Sequence, residues 1–303
     1  MHAQRTIERS VTTTGIGVHT AGNVILTMYP APPNTGIVFI RSDVPGRPHI
    51  PAKPENVSST LLSTSLSKAG ISVSCVEHLM SALWSQGIDN LYIEIDSEEV
   101  PIMDGSAAPF IFLIKQAGIQ HQSVARQYIK ILEDIEIEDG DTLGSLTPFD
   151  GFRAAYTFVF DHPVFNRYPK HIDIDFCATS FTSEVSRART FGLVKELDQA
   201  QAAQKCLGSS LENAIGVDDF SILNHEGLRY DDEFVKHKLL DAIGDLYLLG
   251  NPILGSFSGI RSGHTLNNKL ALALLNSPSR WELTEQAPHP VQDIAGGLTP
   301  IAA

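Results

Sequence analysis

The feature that most constrains this chain is a change of hydrophobic period that happens twice, in the same order. Asn23 to Tyr29 and Gly36 to Arg41 are short apolar or alternating runs, parted by Pro30-Ala31-Pro32-Pro33-Asn34, as strands are. From Val73 the period lengthens, with Val76, Leu79, Met80 and Leu83 at helical spacing until Gly87. Asn90 to Asp96 then alternates, and Ala107 to Ala117 reads as a helix stopped by Gly118. The second half repeats the order. Strands are predicted over Gln127 to Glu138, Phe152 to Asp161 and His171 to Phe176, and a helix over Glu233 to Leu249. A strand over Pro252 to Ile260 and a helix over His264 to Leu275 follow. Strands, helix, strand, helix, written twice, predict an α+β protein of two similarly built domains, residues 1–122 and 127–303, joined near Gln120 to Arg126. Element order repeats; residue identity does not.

Composition narrows the function classes. Of 303 residues, 43% are hydrophobic and 19% charged, which suits a packed core and excludes disordered and fibrous classes. Lys and Arg number 22 against 35 Asp and Glu, a net charge of −13. That surplus repels phosphate backbones and anionic headgroups, so no nucleic-acid partner and no membrane adsorption are expected. Cys75, Cys177 and Cys206 form no CxxC pair, which excludes a disulfide framework and a thiolate-rich zinc site and fits a reducing, cytoplasmic setting. No signal peptide is expected, because Met1 to Ser10 carries no apolar core, and no membrane span, because no run approaches ~18 apolar residues without a charge.

Several residues could carry chemistry. His237 and Asp241 lie one turn apart on the predicted helix, so they project from one face and could grip a cation; a solvated pair has the same spacing. Asp245 continues that stripe. Glu77-His78 sets a carboxylate beside an imidazole, as hydrolytic metal sites do, although Ser74 to Glu77 also fits a capping box with Glu77 reaching back to the helix start. His264 opens the last predicted helix, where the positive dipole end lowers an imidazole's pKa. To stay protonated there it needs a carboxylate, and Asp245 is available. Two histidines and an aspartate leave coordination positions open, which suits a catalytic zinc and also non-haem iron. Glu77 favours hydrolysis, since an oxygenase needs no general base beside its ligand.

Five segments, taken together, resemble one family. They are Val76-Glu77-His78-Leu79, Met103-Asp104-Gly105-Ser106-Ala107, Ser186-Arg187-Ala188-Arg189-Thr190-Phe191-Gly192, the stretch from Phe234 to Asp245, and Gly263-His264-Thr265-Leu266-Asn267-Asn268-Lys269. The family is the UDP-3-O-acyl-N-acetylglucosamine deacetylases, zinc amidases of lipid A synthesis, and the likeness runs from Gln4 to about Lys269. It implies two α+β domains, each a sheet on a layer of helices, with the active site between them. It implies insertions at Leu61 to Ser72 and within Thr190 to Gly216, the second lining an acyl passage.

By the same resemblance His78, His237 and Asp241 are the ligands of Zn²⁺ (or Fe²⁺), and Glu77 is the general base. His264, oriented by Asp245, stabilises the oxyanion and protonates the leaving amine, a task Glu77 could share. Thr190 donates to the oxyanion, and Lys238 meets the nucleotide side of a UDP-linked acylated amino sugar. Phe191, Gly192, Leu193, Val194, Leu197, Cys206 and Leu207 form an apolar set suited to the acyl passage or to plain core packing. At ~0.8 kcal/mol per buried methylene, six methylenes in a passage contribute on the order of 5 kcal/mol of gross binding.

Ser63 stands where some relatives carry a metal-binding cysteine, which implies tolerance of excess zinc. No obligate protein partner is implied. The alternatives are a nucleotide-sugar lipid-binding protein of the same fold that hydrolyses nothing, and a deacetylase of a different N-acetylated amino sugar. The tail from Gly296 to Ala303 is rich in small residues and is a candidate signal for controlled proteolysis.

Overall fold

The computed structural model describes residues 2–287, and the tail from Gly296 lies outside the described residues. Helices form at Glu77–Gln86 (α1), Ala108–Ala117 (α2), Phe181–Glu184 (α3), Val194–Ala202 (α4), Glu233–Tyr247 (α5) and His264–Leu275 (α6). Each half is built on a parallel strand pair whose connection must cross the sheet, and a helix makes that crossing. Ile37–Arg41 runs parallel to Leu91–Ile95, with α1 between them in the chain. Phe152–Thr157 runs parallel to Ile253–Ile260, with α5 between them. A second helix follows each pair, α2 in the first half and α6 in the second.

The first sheet has five strands in the order Val11–Ile16, Asn23–Pro30, Leu91–Ile95, Ile37–Arg41, His49–Pro51. The second has seven, centred on Ile253–Ile260, which pairs with Tyr128–Ile131, Thr142–Thr147 and Phe152–Thr157. Helices α1, α2, α5 and α6 pack on one another and against these sheets. The fold is therefore the expected α+β arrangement. Alternation does its ordinary work here: Val24, Leu26 and Met28 are buried while Asn23, Ile25 and Tyr29 face out. Gly87, at φ 66°, closes α1 in the left-handed conformation that the sequence stop signal requires.

Four details differ from the sequence reading. The expected connector at Gln120 to Arg126 is mostly strand, because Ile119–Ala125 pairs antiparallel with Ala3–Ile7. Gln127 to Glu138 is two strands, Tyr128–Ile131 and Ile135–Asp139; between them the Leu132 and Glu133 N–H groups turn to the Arg280 carbonyl. The strand expected to reach Asp161 stops at Thr157. Thr142–Thr147 and Trp281–Thr284 are strands that the weak alternation of their short segments did not announce.

Both expected insertions are discrete substructures. Val57–Ser59, Ser65–Lys68 and Ile71–Val73 make a three-stranded antiparallel sheet. Phe191–Leu193 and Ile215–Val217 pair in parallel, with α4 in the crossover. No residue of α4 is buried, which is unusual for a helix carrying Val194 and Leu197.

Helices α1 and α5 pack against each other, and Gly244 sets how closely. A Cβ on Gly244 would stand 2.0 Å from the Glu77 carbonyl oxygen, so only glycine lets the two backbones meet at this depth. Every residue of α5 except Lys238 is buried, including Glu233, Lys236, His237, Asp241 and Asp245. Ionisable groups are costly in such a place unless paired or put to use.

Candidate active site

The α1–α5 contact brings three donor groups together. His78 on α1 and His237 and Asp241 on α5 are all buried, with one donor atom of each within 4.8 Å of the others. Oδ1 of Asp241 lies 3.4 Å from Nε2 of His78 and 3.4 Å from Nε2 of His237. The rings stand edge to face, their centroids 5.0 Å apart. The i,i+4 pair is thus not a solvated one.

His237 and Asp241 are each held by the other end of the side chain. His237 Nδ1 meets the Ala188 carbonyl at 3.1 Å, which fixes the ring and leaves Nε2 free. Lys238 Nζ donates to Oδ2 of Asp241 at 2.7 Å. Oδ1 of Asp241 is buried and accepts no hydrogen bond. An orphaned carboxylate oxygen between two imidazole nitrogens is the chemistry a divalent cation completes, so these residues fit one. Burial takes the His237 pKa down to about 3, only partly opposed by Asp241, and keeps the ring neutral as a ligand must be. Burial also opposes ionising Asp241, but His237 and Lys238 outweigh it and hold its carboxyl well below the usual range.

Glu77 opens α1 beside this centre. It does not close a capping box: Val76 is the residue before the first turn, and no side chain caps there. Instead Oε2 of Glu77 accepts the Thr64 N–H at 3.0 Å, and Oε1 lies 3.9 Å from His264 Nε2. Burial raises the Glu77 pKa, with His264 and His78 pulling the other way. His264, first residue of α6, contacts Asp245 Oδ2 through Nδ1 at 2.9 Å. Burial opposes its charge, as the helix start was expected to. Asp245, then Glu77 and Asp241, outweigh that and hold the pKa up at about 9.

Asp245 is itself anchored by groups that sequence reasoning passed over. Thr64 Oγ1 donates to its Oδ1 at 2.6 Å and Asn267 Nδ2 to its Oδ2 at 2.9 Å. Asn267 lies within one of the noted motifs, so a signal existed; nothing local marked Thr64. Arg189 was also missed as a support. It is buried, donates to Glu233 Oε1 at 2.9 Å and to the Gly227 carbonyl at 2.7 Å, and so pins the Ala188–Thr190 segment that faces His237.

A cavity of about 460 Å³ opens from this centre. Glu77, His78, His237, Lys238, Asp241 and His264 line its polar end, with Thr190 beside them. Phe191, Gly192, Leu193, Val194, Leu197 and Cys206 line its walls, while Leu207 is not part of the lining. Asp245 stands behind His264 rather than in the cavity.

A buried two-histidine, one-carboxylate centre with a glutamate and a protonated histidine facing each other defines a metal-dependent hydrolase. Residues 4–276 match the family model for UDP-3-O-acyl N-acetylglycosamine deacetylase. The chain is 51% identical over 283 residues to a UDP-3-O-acyl-N-acetylglucosamine deacetylase of Hahella chejuensis, covering 93% of this chain and 94% of that one. It is 50% identical, with 93% of each chain covered, to proteins of the same name from Marinobacter nauticus and Coxiella burnetii. The chain belongs to the UDP-3-O-acyl N-acetylglycosamine deacetylase family.

Proposed function

We propose that this protein hydrolyses the N-acetyl group of UDP-3-O-acyl-N-acetylglucosamine, releasing acetate and a free amine for lipid A assembly, and that its resident ion is Zn²⁺. The observation that carries this reading is the unpartnered Asp241 Oδ1 between the His78 and His237 nitrogens, with Glu77 and His264 alongside. When bound there, a divalent cation polarises the amide carbonyl and lowers the pKa of water from 15.7 to about 7. A thiolate-free N,N,O donor set suits zinc and also admits Fe²⁺.

The side chains supply the rest. Glu77, made more basic by burial, takes the proton of the attacking water. His264 holds a proton because Asp245 faces its Nδ1, so Nε2 carries a donor toward the cavity. That donor stabilises the oxyanion and then protonates the leaving amine, and Glu77, 3.9 Å away, is the other group able to deliver the proton. Thr190 offers a hydroxyl to the oxyanion. Positioned groups of this kind contribute roughly 10²–10⁴-fold each.

Specificity follows from the cavity. The wall from Phe191 to Leu197, with Cys206, takes the 3-O-acyl chain; the exposure of α4 favours lining over core packing for this set. Lys238 has 28% of its side chain exposed and serves the nucleotide's phosphates while bonded to Asp241. We take residues 1–122 and 127–303 as the two domains whose helices supply the halves of the centre. A cytoplasmic location is supported by three free cysteines and a nucleotide-linked substrate, and no described helix is long and apolar enough to cross a membrane.

Turnover of UDP-3-O-acyl-N-acetylglucosamine by wild type and Glu77→Ala, with metal analysis of both, tests the proposal. One ion per chain in each and turnover lost only in the variant is expected. Absence of turnover in the loaded wild type, or equal turnover on substrates lacking UDP and the acyl group, overturns it.

A further inference from the structure

A second group of metal-binding side chains opens on the same cavity and has no part in the chemistry above. His19, Cys75 and Glu99 each place one donor atom within 4.8 Å of the other two. Their exposures are 5%, 7% and 0%. His19 and Cys75 line the cavity; Glu99 lies behind them. Among the described residues these three and the His78 centre are the two such clusters.

Glu99 is the informative member. Its carboxylate is fully buried, and no Lys or Arg of the described residues lies within ion-pair distance of it. It accepts the N–H of His19 at 2.8 Å, the N–H of Thr20 at 3.0 Å and the Thr20 hydroxyl at 3.0 Å. Those three donors account for the shape of the loop after Gly17. The fourth contact is of another kind: the Cys75 thiol donates to Oε1 at 3.2 Å. A thiol proton between sulfur and a buried carboxylate can be exchanged for a cation. The imidazole of His19 is kept neutral by burial, as a ligand must be. Cys206 adds a second sulfur, its Sγ 3.9 Å from His19 Nδ1.

We propose that His19, Cys75 and Glu99 form a second cation site, in the cavity wall and separate from His78, His237 and Asp241, that takes one thiophilic divalent ion such as Zn²⁺ or Co²⁺. On binding, the Cys75 S–H bond breaks, a sulfur–metal bond forms and the proton leaves to water; nothing is oxidised or reduced. One thiolate and one carboxylate then balance the two positive charges, so the buried site is neutral. The sulfur selects zinc or cobalt over Mg²⁺ and Ca²⁺, which prefer oxygen. Ser63 Oγ is 3.3 Å from His19 Nε2, and Cys75 supplies that neighbourhood with the thiol that position 63 lacks.

Co²⁺ separates the two centres, because the His78 centre contains no sulfur. Protein carrying one equivalent of Co²⁺ is titrated with a second. A thiolate-to-cobalt charge-transfer band in the near ultraviolet, growing to one further ion per chain, is expected. Cys75→Ser should abolish the band and weaken the second ion by at least about tenfold, since even indirect partners of a metal cost 10–100-fold. Cys177→Ser should leave both unchanged. His19→Gln should weaken the second ion while keeping the first. No band in wild type, or a band that survives Cys75→Ser, overturns the proposal. If neither variant folds, X-ray absorption at the cobalt edge of doubly loaded wild type decides: cobalt–sulfur scattering supports the site, and nitrogen and oxygen alone refute it. None of these readouts depends on deacetylation.

Discussion

Thr64 Oγ1 donates to Asp245 Oδ1 at 2.6 Å, joining residues 181 positions apart. The bond ties the small three-stranded insertion to α5, and through Asp245 it fixes the ring of His264. Thr64 also gives its backbone N–H to Glu77 at 3.0 Å, so one residue steadies Glu77 directly and His264 through Asp245. Thr64→Val keeps the shape and removes the hydroxyl. A buried acceptor left unpaired costs about 1–3 kcal/mol, so the denaturation midpoint should fall accordingly. The kcat should fall by about tenfold as His264 loses its orientation, with metal content unchanged. Thr64→Ser should recover both; a serine variant as impaired as the valine one would contradict the assignment.

The two histidine pKa values bear on pH in opposite directions. The folded pKa of His264, about 9, lies above the ordinary 6.5, so its contribution to stability is complete below pH 6.5 and is lost as pH rises through about 9. The same deprotonation should give kcat/KM an alkaline limb near pH 9. Asp245→Asn should move that limb toward neutrality, and a pH profile with the limb unmoved would count against His264 as the protonated partner. For His237 the folded value of about 3 lies below 6.5. Its contribution is present above pH 6.5 and is lost as pH falls toward about 3. Metal-free protein should therefore lose stability on acidification from pH 6.5, measurable by chemical denaturation at a series of pH values.

Gly244→Ala tests whether the centre depends on how near α1 and α5 lie. The added methyl meets the Glu77 carbonyl at 2.0 Å, and this is backbone, which cannot rotate aside. Overpacking of this kind costs about 1–3 kcal/mol. Because His78 and His237 sit on the two helices being pushed apart, metal affinity should fall along with thermal stability. A variant that binds metal normally would mean that the helices have slack to give.

Ala200→Phe tests the proposed acyl passage from the least buried element that lines the cavity, α4. The bulkier ring enters the cavity from α4. KM should rise for substrates with long 3-O-acyl chains and stay level for short ones, with kcat on short substrates unchanged. Each methylene excluded forfeits up to ~0.8 kcal/mol, so a loss of two or three amounts to roughly tenfold or more. Equal effects on long and short chains would place the acyl group elsewhere.

How much of this was legible beforehand depends on how local each cause is. The strand–helix–strand–helix order, the helix stop at Gly87 and the spacing of His237 to Asp241 follow from period and backbone preference within a few residues, and the sequence carried them by itself. The motifs around Glu77, His78, Thr190 and His264 likewise marked the family without reference to any contact. The strand at Ile119–Ala125 was not legible, because its partner, Ala3–Ile7, lies more than a hundred residues away and supplies the hydrogen bonds that make it a strand. Thr64 and the Ala188 carbonyl were silent for the same reason, as each acts only through a partner brought to it by the fold. Whether Glu77 caps its helix or faces His264 was likewise decided by packing. A carboxylate takes the partner that burial leaves within reach, and the meeting of α1 with α5 and α6 supplied His264 and the Thr64 N–H where a lone helix would have offered only its own first turn.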